Sequence, residues 1–215
     1  MKKIINNMTL VMLLLVLSQA VYAETTLLSL QQRWAEANYT LTGDVQEKAF
    51  QTLIEDVELY TNDSPEDAQR WIWSGIIKST FAGTVGGLGA LSFAKAAKKD
   101  LDRALNIDEK ALDGSAHTSI ATLYYQVPGW PIGFGSDKKA LKHFKKALQF
   151  NPEGIDSNYF YGEFLFEEKK NYADAEKYLI KARNATPREN RQLADKERQK
   201  EISALLLKVQ NKLKK

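Results

Sequence analysis

The chain has two histidines, His117 and His143, and Asp113 lies four residues before the first. A carboxylate and an imidazole at i and i+4 share one helix face, so with a second histidine from a neighbouring helix they could form a two-histidine, one-carboxylate metal site. The alternative is that two histidines on separate helices are solvated surface groups. Glu163, Glu167 and Glu168 could pair as carboxylates, but acid/base work needs a closed cleft and a shifted pKa, which spacing alone does not supply. Gly86-Gly87-Leu88-Gly89 resembles a phosphate loop only in its glycines. It follows a helical pattern, no Gly-Lys-Ser/Thr comes after it, and the third glycine of a dinucleotide fingerprint is missing. The absence of cysteine excludes disulfides, thiolate metal sites and cysteine nucleophiles. No catalytic, metal-binding or cofactor-binding residue is assigned, and the chain reads as a non-enzymatic binding protein without a cofactor.

The elements that position these residues belong to one soluble globular domain: 215 residues, 44% hydrophobic, 27% charged, mean hydropathy −0.40. Residues 1–23 read as a secretory signal. Met1-Lys2-Lys3 is a basic start, Leu10 to Leu17 is an unbroken apolar run, and Ala23 ends a segment acceptable to signal peptidase. An uncleaved anchor is the alternative. No cysteine follows the cut, so the expectation is a periplasmic protein that is not a lipoprotein. Removing the leader leaves 28 basic against 27 acidic groups, without the strong positive charge of a nucleic-acid reader. Charge is nevertheless polarised, with residues 24–70 at a net −7 and residues 181–215 at +7. This favours head-to-tail contact between copies, docking of the basic end on anionic lipid, or simply two solvated faces.

Three segments repeat a small-first i, i+4, i+7 pattern: Ala97-Leu101-Ala104, Ala140-Phe144-Ala147 and Ala175-Leu179-Ala182. That spacing puts each trio on one helix face. Upstream of each lies a second helix carrying a small residue, Gly75, Ser119 or Gly162, which would let two antiparallel helices approach to about 8–10 Å. Ser64-Pro65-Glu66-Asp67 and Asn151-Pro152-Glu153 read as helix starts with proline in the first turn, and Ser136 and Asn171 as further N-caps. No alternating segment survives as a strand, so the class is all-α. Trp71-x-x-Ser74-Gly75, Tyr161-Gly162-x-x-Leu165 and Tyr172-x-x-Ala175-x-x-x-Leu179-x-x-Ala182-x-x-x-x-Pro187 resemble the tetratricopeptide repeat (TPR). The resemblance implies a right-handed solenoid of three to four helix pairs over residues 24–187. Trp34 with Phe50-Ile54-Val57 makes a degenerate first pair.

Within two pairs the spacing is stretched by apolar, glycine-rich insertions at residues 81–89 and 127–135, which stacking would bring side by side. They are either binding loops or packing over helix ends. The first helix of each TPR pair lines the concave surface. With Gly75, Ser119 and Gly162 as register marks, the inward side chains are Gln69, Ile72, Ile76, Ser79 and Thr80, then Asp113, Ala116, Ile120, Leu123 and Tyr124, then Asp156, Tyr159, Glu163, Phe166 and Glu167. Such a wall is apolar at its centre, lacks the Lys and Arg that hold a carboxylate, and suits an apolar ligand, a partner's helix or the protein's own tail. Residues 188–215 form a basic amphipathic helix with a stripe of Ile202, Leu205, Leu206, Val209 and Leu213. It is expected to cap the last repeat, to fill the groove, or to lie on a membrane surface.

Tyr124-Tyr125-x-x-Pro128-Gly129-Trp130-Pro131-x-Gly133-Phe134-Gly135-x-x-Lys138-Lys139-Ala140, followed by Asn158-x-x-Tyr161-Gly162-Glu163-Phe164-Leu165, resembles the T-component family of tripartite ATP-independent periplasmic (TRAP) transporters over residues 68–187. The resemblance implies a periplasmic accessory protein that associates with a substrate-binding protein and passes an apolar small molecule through a pore or groove. The expected function is that of a protein–protein adaptor with Trp130 and Phe134 at the groove rim. The alternative is a carrier of a lipophilic small molecule. No nucleic-acid partner is expected, membrane contact is not expected after cleavage, and a homo-oligomer remains open.

Overall fold

The structure, a computed structural model, describes residues 25–214. The expected leader over residues 1–23 lies outside the described residues. Among them the chain is all-α, with no strand: α1 Leu27–Tyr39, α2 Gly43–Asp63, α3 Ala68–Val85, α4 Gly87–Ile107, α5 Ala111–Gln126, α6 Asp137–Phe150, α7 Ile155–Glu167, α8 Tyr172–Asn184 and α9 Gln192–Leu213. Helices α3 and α4, α5 and α6, and α7 and α8 pack as successive pairs. This is a helical-repeat arrangement.

The three trios hold the pairs together. All nine of their side chains are fully buried, at 0% exposure. Glycine is needed at two of the close approaches. A Cβ at Gly75 would stand 2.5 Å from Leu101 Cγ, and one at Gly162 would stand 2.9 Å from Leu179 Cγ, both closer than real contacts allow. A buried ionic cluster ties the first pair to its neighbour: Lys78 Nζ bonds Asp100 Oδ2 at 2.8 Å and Glu58 Oε1 at 3.1 Å, and Ser74 Oγ donates to the same Asp100 oxygen at 2.7 Å. Trp34 of the degenerate first pair packs edge-on against Trp73 with ring centroids 5.7 Å apart.

Ser136 and Asn171 cap α6 and α8 as the sequence predicts, accepting from the amides of Lys139 and Asp174. The two proline-containing starts differ. Asp67, not Ser64, caps α3, accepting from Gln69 N at 2.9 Å, and α7 begins at Ile155 after Gly154. Both prolines lie in turns because the chain must first reverse direction. Ser157 Oγ and Asn158 Nδ2 then secure the second turn by donating to the carbonyls of Asn151 and Pro152 at 2.7 and 3.0 Å.

The insertion at residues 81–89 is not a loop. It extends α3 to Val85 and starts α4 at Gly87, with only Gly86 and Gly87 turning the chain at φ of +60° and +59°. Such left-handed values favour glycine. The insertion at residues 127–135 is a true loop, closed by Gly135 N on Pro128 O (3.0 Å) and Ser136 N on Tyr124 O (2.7 Å). Leu91 of α4 lies beside Gly133, so the two insertions are neighbours as stacking requires.

Helix α9 caps the array by packing on α8, burying Ile202, Leu205, Leu206 and Val209 while leaving Leu213 exposed. It also reaches α7 and α1. The last helix therefore meets the first, and the array closes on itself.

Candidate functional site

Where α1 and α9 meet, they enclose with α3, α5 and α7 a cavity of about 430 Å³. This lies within the ~300–1,000 Å³ range of small-molecule sites. Trp34, Tyr39, Trp73 and Phe160 give it aromatic surface; Ser79, Thr80, Ser115, Thr118, Ser119 and Thr122 give it hydroxyls; Arg188, Arg191 and Arg198 bring cations from the C-terminal segment. Many of the hydroxyls give their proton to their own helix. Ser79 and Thr80 donate to Ile76 O at 2.9 Å, Ser115 to Leu112 O at 2.7 Å, and Thr122 to Thr118 O at 3.0 Å. What they present to the cavity is lone pairs. Trp34 is held in place by donating from Nε1 to Thr80 Oγ1 at 3.0 Å.

Of the inward positions read from the sequence, Ile76, Ser79, Thr80, Asp113, Leu123 and Asp156 line the cavity, but along α5 the wall is more polar than expected. The reason is register. Ser119 is only half-buried and lines the cavity, whereas Ala121, two residues further along, is fully buried. Moving the mark two residues along α5 rotates Ile120 into the core and turns Ser115, Thr118, Thr122 and Gln126 inward, where they are found.

Of the ten residues singled out for ligand or partner binding, Ile76 and Leu123 line the cavity. Ile72 and Ile120 are fully buried core, closed off by their own neighbours. Tyr124 faces away, stacked on His143 (5.7 Å) and edge-on to Phe134 (5.9 Å). Trp130 and Phe134 are not at the rim: Trp130 is 90% exposed on the loop, and Phe134 tucks over the end of α5. Tyr159 and Glu163 form their own network beside the cavity, in which Tyr159 Oη donates to Glu163 Oε1 at 3.1 Å and Tyr125 Oη donates to Oε2. Burial and the facing carboxylate push both tyrosines well above the ordinary phenol range. Phe166 is buried against Tyr172.

The arginines also correct the sequence reading, which found no donors for an anion. They come from the segment after the last repeat, where repeat periodicity carries no information. Asp156 accepts from Arg188 Nη1 at 2.7 Å and Arg198 Nε at 3.0 Å. Burial alone would raise its carboxyl, but the charges of Arg188, Arg198 and Arg191 together hold it well below the carboxylate range. Arg188 also clasps Asp195, and Arg198 pairs with Glu201. Arg198 further stacks over Tyr159 and Phe160 at 4.4 and 4.5 Å. Tyr39 is pushed up to about 12 by burial in this cluster.

The entry to α5 is strained on the cavity side, with Leu112 and Asp113 at φ of 49° and 53° and Gly114 at 74°. This left-handed turn, made where a Cβ on Gly114 would strike Phe150, carries Asp113 to the cavity wall and away from His117. The histidines instead face each other, Nδ1 to Nδ1 at 2.9 Å, and the carboxylate beside His117 is Glu109, 3.4 Å from Nε2. They are a contacting pair, His117 buried and His143 half-buried, rather than two solvated surface groups. Burial lowers both, and for His143 burial and then His117 bring the value to about 4. Among the described residues no three His, Cys, Asp or Glu side chains converge as metal ligands. Comparison with protein-family models and with curated proteins finds no match to this chain.

Proposed function

We propose that this is a non-enzymatic helical-repeat binding protein that holds a small molecule in the cavity between its first and last helices. The observation that carries the reading is the cavity itself: about 430 Å³, walled on several sides and furnished with aromatic faces, hydroxyls and guanidiniums. The hydroxyls and arginines favour a ligand with polar groups on a planar body over a wholly lipophilic one. The TPR-like pattern and the resemblance to TRAP T-components support an accessory role beside a substrate-binding protein, and the leader-like residues 1–23 support work in the periplasm. Among the described residues no helix is long and apolar enough to cross a membrane.

Native mass spectrometry of protein purified from the periplasm tests this. A retained small mass is expected in the wild type and is expected to be lost in Thr122→Trp, which fills the cavity from α5. A Thr122→Trp protein that folds and keeps the adduct refutes the cavity as its seat. A second reading, contact with a protein partner, is favoured by Trp130 and Ile132, which stand 90% and 66% exposed on one loop. Trp130→Ala should abolish co-purification of a partner and change stability by less than about 0.5 kcal/mol, as exposed substitutions do.

A further inference from the structure

Arg191 is unlike the other cations of the cavity. Arg188 and Arg198 are each committed to carboxylates, Asp156 between them and Asp195 or Glu201 beyond. Arg191 makes no ion pair and no side-chain hydrogen bond among the described residues, and its Nε is buried without a partner. Its guanidinium lies over Trp73 at 4.8 Å and Trp34 at 5.6 Å, the two rings that form an aromatic corner of the cavity. Burial and then the nearby Arg188 push its pKa down, and the charges of Asp156 and Asp195 offset only part of that. A half-buried guanidinium without an ion-pair partner is a costly arrangement, and stacking on indoles orients the fork without satisfying its N–H donors.

Resting on the cavity reading above, we propose that Arg191 is the anchor for an oxyanion, and that the ligand is a small organic acid whose carboxylate meets Arg191 while its planar body lies along Trp34 and Trp73. A carboxylate matches the guanidinium fork in a bidentate pair. The rest of the wall fits such a body. Thr122 presents lone pairs that accept from an N–H or O–H on the ligand, and Ile76 covers its apolar edge. Asp113 also lines the cavity, with its own side chain exposed on α5. Asp156 and Asp195 lie near enough to act on Arg191, but both are ion-paired with Arg188 and neither forms a salt bridge to Arg191 among the described residues.

The test is thermal shift and calorimetry of the full chain with cinnamate, naphthoate and indolylacetate, each beside its primary amide, on the wild type, Arg191→Gln and Arg191→Lys. Carboxylates are expected to bind at least about tenfold more tightly than their amides, because only the former make charge-assisted pairs. Arg191→Gln should erase that preference, Arg191→Lys should keep part of it, and unliganded Arg191→Gln should melt at or above the wild-type temperature. Amides that bind as well as acids overturn the inference and leave a cavity for neutral ligands, so the proposed function survives. A preference retained in Arg191→Gln, or an unliganded variant that melts well below wild type, overturns it by making Arg191 a structural group. Failure of every probe also overturns it, and the periplasmic adduct then decides the cavity reading separately.

Discussion

Asp156→Asn should loosen the C-terminal segment from α7, and the structure sets the size of the effect. Asp156 is the one acceptor shared by Arg188 and Arg198, at 2.7 and 3.0 Å. Removing one partner of a fully buried ion pair costs about 3–5 kcal/mol. The Asp156 and Arg188 side chains remain 29% and 34% exposed, so solvent screening brings the expected loss to roughly 2 kcal/mol. For a domain of this size that lowers Tm by roughly 4–8 °C. Hydrogen exchange should speed up in α9 and remain unchanged in the α3–α4 pair. The pH dependence has a definite sign. The folded carboxyl is held below its ordinary 3.8, so the wild-type advantage is complete above that value and shrinks as pH falls below it. An Asp156→Asn protein with wild-type Tm and unchanged exchange at α9 would refute the idea that this carboxylate clasps the C-terminal segment to α7.

Two further outcomes follow from packing and titration. Gly162→Ala puts a Cβ 2.9 Å from Leu179 Cγ and should cost about 1–3 kcal/mol in urea unfolding, as overpacked cores do. Gly89→Ala meets nothing within 4 Å inside α4 and should stabilise by about 0.5–1 kcal/mol; equal effects at the two sites would contradict the close approach of α7 and α8. The His117–His143 pair resists protonation when folded, so the unfolded chain takes up protons first and stability should fall as pH drops from 6.5 towards about 4. His143→Asn should flatten that slope in pH-resolved denaturation, and a slope unchanged from wild type would show that the pair is not its source.

The repeat was legible in the sequence because the trios obey a 3.6-residue period and bury completely, so all-α pairing could be read from Ala, Leu and Phe spacing alone. The caps at Ser136 and Asn171 were legible for a related reason: each side chain acts on an amide three residues away. The groove was not, for two physical reasons. Ser119 and Ala121 are both small, and only burial tells which one faces the neighbouring helix. Along α5 that two-residue ambiguity exchanges an isoleucine wall for a threonine one. The second reason is distance along the chain. Trp34 and Arg191 meet across the whole array, and no local period couples the first helix to the last. Glu109 was missed beside His117 because a left-handed turn at residues 112–114 redirects the side chains, and only Gly114 hinted at it. The two insertions read alike in glycine content, yet one continues its helices and the other loops out. Phe81 and Ala82 bury within α3, whereas Pro128 and Pro131 stop α5 from continuing.

An open solenoid can gain or lose a unit at either terminus, since each unit depends only on its immediate neighbours. The meeting of α1 with α9 removes that freedom. An extra helix pair inserted anywhere would separate Trp34 from Arg191, so the unit number becomes a fixed property, as it is in a propeller. Melting should then be a single cooperative event rather than fraying from one end.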